Sequence, residues 1–319
     1  MNKENARNTA ASVRQRLANQ GKERGIEFQR ILVLYALERL LYRISASSYS
    51  GEFILKGAML LSLWFENPYR RTRDMDLLGR DEPSLERFAA VFQELCALEV
   101  EEDGLRFAPE TVIAKRIREE SDFGGVRVLL TAFLENARIP LQVDIGFGDA
   151  TVPEPQETDF PILLTGFPAP HLRVYQKETT IAEKFRALVV LERTNSRMKD
   201  FFDLYILSRE FAFTGERLTA AIRDTFARQG TTIPAEIPDG LTQDFASDMG
   251  KQSQWKAFLK QNVPPPLDTL SLPDVTAGAA AFLIPPLQAA QAGELLLSEW
   301  SPGGPWKSPG SQPKNEEED

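Results

Sequence analysis

The sequence holds one cysteine and one histidine in 319 residues. A lone thiol excludes an intrachain disulfide, and Cys96 reads as a small buried residue near the end of a helix. One imidazole and one thiol cannot make a zinc-type ligand set, and His171, in a loop after Pro168-Ala169-Pro170, is a weak candidate for a general base. No apolar run has the length of a membrane span, and the polar, mixed-charge stretch after Met1 does not have the pattern of a secretion signal. With little cysteine in use, the expectation is a cytoplasmic chain. A Walker-type phosphate loop and a nucleophile elbow are also missing. So is any excess of positive charge. The net charge of −9 excludes a chain coated in cations for non-specific nucleic-acid binding.

The charge that is present is unevenly spread. Residues 1–80 carry 14 Lys and Arg against 8 Asp and Glu, which leaves 23 basic and 38 acidic residues in the rest. A basic front section suits either local attraction of a polyanion or ordinary solvated helix faces. Spacing predicts two helices over 10–46, broken at Gln20-Gly21, and further helices over 58–65, 84–98, 178–192, 197–211, 215–229 and 243–261. Short alternating or apolar runs predict strands over 73–78, 111–118, 125–134 and 137–145. Strands in the middle and helices at both ends make an α+β chain. The expected organisation is helices over 1–50 packing on a core over 51–170, then a helical region over 171–262. Ten of the 21 prolines fall after position 263, and 263–319 is expected to be a largely disordered tail.

The stretch RRTRDMDLLG places two carboxylates, Asp74 and Asp76, two residues apart among large apolar neighbours. Period two puts both on one face of a strand, with Met75 and Leu77 turned to the core. Side-by-side carboxylates repel, and a divalent cation between them relieves that repulsion. Mg²⁺ commonly uses one or two carboxylates together with substrate phosphates. Alone, such a pair fits a solvated edge strand better, but here it follows Arg70, Arg71 and Arg73 and sits among apolar residues. Asp144 in LQVDIGF is a third acid that joins them if its strand lies alongside, giving the ligands for a two-metal displacement at phosphorus. Upstream, Gly57-Ala58 at a helix start would let phosphates approach backbone N–H groups, with Lys56, Arg71 and Arg73 as nearby cations. Further along, Lys184 stands on an apolar helix, and Asp200 and Asp203 follow at i, i+3 on the next. These charges suit intrahelical ion pairs or the neutralisation of a triphosphate.

KGAMLLSLW, RRTRDMDLLG, AEKFRAL and RMKDFFDLYIL, in that order, resemble the AbiEii/AbiGii nucleotidyltransferase toxins of abortive-infection, type IV toxin–antitoxin systems. The resemblance spans roughly residues 10–260. It implies a polymerase β-like mixed-sheet core followed by a helical region, and Mg²⁺-dependent transfer of a nucleoside monophosphate from an NTP. It implies RNA as acceptor, the 3′ end of tRNA first, with inhibition of translation as the result. Asp74, Asp76, Lys184, Asp200 and Asp203 fall on the family's catalytic motifs. Lys56, Gly57, Ala58, Arg71 and Arg73 fall in or beside its nucleotide-binding motifs, and Asp144 falls loosely on the superfamily's third metal acid. The usual Gly-Gly or Gly-Ser is Gly-Ala here, so a serine hydroxyl contact is absent. A cognate antitoxin, such as a winged-helix regulator, is the implied partner. The alternatives are nucleotidylation of a protein hydroxyl and a non-catalytic binding module.

Overall fold

The computed structural model describes residues 3–70, 72–80, 84–117, 124–148 and 152–309. The chain divides into two units: residues 1–149 with 155–175, and residues 150–154 with 176–319.

The first unit opens with helices α1 (Lys3–Glu23) and α2 (Phe28–Ser45). They separate at Gly25, whose positive φ of 62° is a turn conformation, and Gly21 stays helical, so the break falls four residues later than the sequence suggests. The α2 helix has no side-chain N-cap, and its stability comes from a buried face that includes Ile31, Tyr35, Leu37, Leu40, Leu41 and Ile44. Each such side chain removed from water contributes about 1.5–3 kcal/mol.

Strands follow as β1 (Phe53–Lys56), β2 (Met75–Gly79), β3 (Leu105–Ile117), β4 (Gly125–Leu134), β5 (Ala137–Gly146), β6 (Gln156–Asp159) and β7 (His171–Val174). Between β1 and β2 a 3₁₀ turn (Gly57–Leu60) runs into the short helix α3 (Leu61–Trp64). The helix α4 (Leu85–Ala97) lies between β2 and β3 and is capped by the Ser84 hydroxyl, which accepts from the Arg87 N–H. The sheet order is β3-β4-β5-β2-β1-β7-β6. The pairs β2–β5 and β1–β7 are parallel and the rest antiparallel, so the sheet is mixed. The expected 111–118 strand begins earlier, at Leu105, because an irregularity between Ala108 and Ile113 lets β3 resume pairing with β4.

One face of β4 and β5 is buried through Val126, Val128, Leu130, Ile139, Leu141, Val143 and Ile145, with α2 packed on β5 and α4 on β3 and β4. Cys96 lies in this core, where burial pushes its thiol pKa up to about 12. Two ionic pairs are sealed beneath α2. Arg43 donates to both oxygens of Asp103, at 2.6 and 3.3 Å, and Arg39 Nε lies 3.4 Å from Glu38 Oε1.

The second unit contains α5 (Lys177–Leu191), α6 (Met198–Glu210), β8 (Phe213–Thr214), α7 (Gly215–Arg228), α8 (Gln243–Ser247), α9 (Met249–Asn262), α10 (Leu272–Ala292), β9 (Glu299–Trp300) and β10 (Trp306–Lys307). Its main segment begins at Gln176, because the His171–Val174 strand belongs to the sheet of the first unit. The region 243–261 is two helices, divided at Asp248, whose side chain caps the second.

The expected disordered tail is folded through residue 309, while 310–319 lie outside the described residues. Ser271 caps α10, a proline occupies its first turn, and Gly293 closes it at φ 74°. Val275, Ala279, Phe282, Leu283 and Leu287 recur at helical spacing and are buried. Proline count had hidden that stripe. Phe282 packs against Phe213, Trp300 and Trp306, and the two indoles donate to Ser208 O and Phe282 O.

Candidate active site

Strand β1 ends at Lys56, and the chain turns at Gly57 with φ 70°. L side chains resist that conformation, and a Cβ on Gly57 would also collide with the Asp76 carboxylate. Two independent demands therefore make position 57 a glycine. Ala58 follows, partly buried, as the second small residue of the turn. Lys56 places its ammonium 5.8 Å from the centroid of the Tyr175 ring.

Asp76 is the second residue of β2, between the buried Met75 and Leu77, and Asp74 immediately precedes the strand. Both acids are partly exposed. Asp74 Oδ1 accepts from the Thr72 hydroxyl at 3.1 Å. Arg73 is exposed, and Arg71 lies outside the described residues.

Register sets a row of charge across five strands. Lys115 of β3 stands opposite Arg127 of β4, Arg127 opposite Asp144 of β5, Asp144 beside Asp76 of β2, and Asp76 opposite Lys56 of β1. Directly paired residues share a sheet face, so acids occupy the middle of the row and cations both ends. The β5 strand does lie alongside β2, as the three-acid reading requires. Asp144, however, is committed to a guanidinium. Arg127 Nε and Nη2 donate to its two oxygens at 2.7 Å each, and Gln142 Nε2 adds a bond at 3.1 Å. The bond to Asp144 raises the already high pKa of Arg127. Burial opposes this, and the charges of Asp144, Asp74 and Asp76 add to the rise. Among the described residues, no group of three or more His, Cys, Asp or Glu stands ready to hold a metal.

Sequence reasoning missed Arg127. Its signal was a lone arginine in the apolar strand GVRVLL, whose meaning depends on the register with Asp144.

Within the second unit, Lys184 of α5 lies between two carboxylates of α6. Its Nζ is 2.8 Å from Asp200 Oδ1 and 2.7 Å from Asp203 Oδ2. Asp200 and Asp203 are 0% and 1% exposed. The cation between them comes from the neighbouring helix, and Arg197 joins it, with its Nε 2.7 Å from Asp200 Oδ2. Burial pushes the Asp200 pKa up, but Lys184, Arg197 and Lys199 outweigh it and hold the carboxyl below its ordinary range.

Among solved structures the chain is similar to MenT4, a nucleotidyltransferase toxin of Mycobacterium tuberculosis H37Rv, at 18% identity and a TM-score of 0.55, over 86% of this chain and 89% of that one. It is also similar to a candidate nucleotidyltransferase of H. pylori (14% identity, TM-score 0.49, 84% and 99% of the two chains) and to JHP933 of Helicobacter pylori (14%, 0.46, 81% and 92%). No curated protein sequence matches the chain. The nucleotidyl transferase AbiEii toxin family of type IV toxin–antitoxin systems matches over residues 39–284, which include every motif above. That match spans most of the sequence and agrees with the mixed-sheet fold, so the chain belongs to the AbiEii nucleotidyltransferase toxin family.

Proposed function

We propose that this toxin transfers a nucleoside monophosphate from an NTP to RNA, with the 3′ end of tRNA as the leading acceptor and arrested translation as the consequence. The observation that carries the reading is the junction of Gly57 and Asp76. A backbone turn that excludes any side chain is pressed against one of two acids at the start of an interior strand. Such a turn presents backbone N–H groups where a phosphate can approach closely.

Asp74 and Asp76 are the residues that would hold a divalent ion, with Mg²⁺ as the leading candidate. Their fit is that of two hard oxygen donors, partly exposed, with substrate phosphates to complete the set. Asp144 does not complete a three-acid cage while Arg127 occupies both its oxygens. When bound, the ion neutralises charge on the phosphates being separated. The protein's own groups position the reactants. Gly57 and Ala58 cradle the phosphates, Lys56 and Arg73 with Arg71 add positive charge, and Thr72 fixes the Asp74 carboxylate. In the second unit, Asp200 and Asp203 hold the Lys184 ammonium in one place. A fixed cation of that kind suits the neutralisation of polyphosphate charge, the role that the family motif implies for Lys184.

The test offers each α-labelled NTP separately, with Mg²⁺, to the protein and a cell lysate, then digests the product. Label that nuclease removes, and that migrates with tRNA, is the expected result. Label that only protease removes would move the acceptor to a protein hydroxyl. Toxicity in cells that survives substitution of both Asp74 and Asp76 by alanine would favour a non-catalytic binding module.

A further inference from the structure

From the charge row we infer that the RNA acceptor approaches over the open face of β3, β4 and β5, where Arg127 and Lys115 hold its phosphodiester backbone and Asp144 serves to position Arg127. The inference rests on the nucleotidyltransferase reading above and adds the side from which the second reactant enters. Displacement at phosphorus places the attacking and leaving oxygens roughly in line. The phosphate cradle at Gly57 and Lys56 lies at the β1 end of the row. The departing pyrophosphate therefore lies towards β1, and the attacking hydroxyl must come from the far side of Asp76, over β5 and β4.

Cations line that side of the sheet. Lys115 is exposed, and the Arg127 side chain is 39% exposed despite its bond to Asp144. The two bonds to Asp144 use two of the five guanidinium N–H donors. The same pairing cancels the charge of Asp144, which would otherwise repel an incoming phosphate.

The face continues away from the acids. Six residues along β4, a rise of about 20 Å, Phe133 pairs with Arg106 on one side and Arg138 on the other. The Arg106 guanidinium lies 4.4 Å from the centroid of the Phe133 ring, and Arg106 and Arg138 are exposed. Cations at both ends with an aromatic at the far end suit a single-stranded polyanion with stackable bases. On a chain of net charge −9, this face differs from the average surface.

Anisotropy of a fluorescent single-stranded RNA, measured without NTP or metal across a salt series, reads this face apart from activity. Removing one cation that binds a phosphate should flatten the log–log salt slope by about 0.7. The variants Lys115→Ala, Arg127→Ala and Arg138→Ala should each weaken binding about tenfold, with unchanged melting temperature for Lys115→Ala and Arg138→Ala. In steady-state transfer, Lys115→Ala should raise the KM for RNA and leave the KM for NTP unchanged. Wild-type affinity and slope in all three variants, in a protein that does label RNA, would overturn the acceptor face and leave the nucleotidyltransferase reading intact. RNA binding that depends on these cations in a protein that labels only protein would overturn it as an acceptor site. Absence of any transfer from any NTP would instead sink the underlying reading.

Discussion

At position 57 a single methyl group would displace an acid of the proposed site. An alanine there must adopt a left-handed backbone at a cost of about 1–2 kcal/mol, and its Cβ must also displace the Asp76 carboxylate. Misplacing a catalytic group by an ångström can cost roughly a hundredfold in rate. Gly57→Ala is therefore expected to lose at least that much transfer activity while melting only a few degrees lower, as kinetics and calorimetry would report. Glu38 makes a second residue-level case. Burial raises its pKa to about 7, against the Leu163 N–H and Arg39, which lower it. A carboxyl raised on folding keeps its proton in the native state after the unfolded chain has lost it. Stability must then fall as pH rises from about 4.5 to about 7, by on the order of 3 kcal/mol. Denaturation of Glu38→Gln across that range should show this slope removed; an unchanged slope would place the titration elsewhere. The Asp-x-Asp and the Gly-Ala pair were legible in the sequence because their meaning is local. Glu38 and Arg127 were not, because the burial of one and the strand register of the other appear only in the folded chain.

Between elements, α5 and α6 are clamped by one lysine shared between two buried acids. Lys184→Met would take away the cation that two buried acids share and leave Asp200 to Arg197, a loss of roughly 3–5 kcal/mol. Asp200 gives the clamp its pH dependence. Its carboxyl is held below the ordinary range, so the stabilisation is complete above that range and disappears as pH falls through the depressed value. Wild type should therefore lose stability in acid more steeply than Asp200→Asn, as equilibrium unfolding would measure. Helix spacing exposed both helices, but it suggested pairing within α6 where the real contact runs between helices. The other element-level lesson is α10. Its prolines masked a buried stripe, and the hydrophobic surface around Phe282 makes the helix part of the second unit's core. Removal of residues 263–319 should therefore abolish cooperative unfolding of the second unit; a truncated chain with undiminished cooperativity would contradict that packing.

For the molecule as a whole, the α+β class followed from periodicity and the family from four ordered motifs, while the short strands β1, β6 and β7 were not among the expected elements. The sheet order was not legible either. The placement of β5 against β2 requires a pairing across sequence that no local pattern encodes. That arrangement turns five separated charges into one row, with the acids flanked by cations on both sides. No helix among the described residues is long and apolar enough to cross a membrane. Everything else depends on Asp74 and Asp76 forming the reacting centre. The decisive quantity is the single-turnover rate of label transfer from NTP to RNA in Asp74→Asn and Asp76→Asn beside wild type, with melting curves for all three. The expected result is a loss of at least about a hundredfold in each variant with no fall in melting temperature. Transfer at the wild-type rate in either variant would contradict that role.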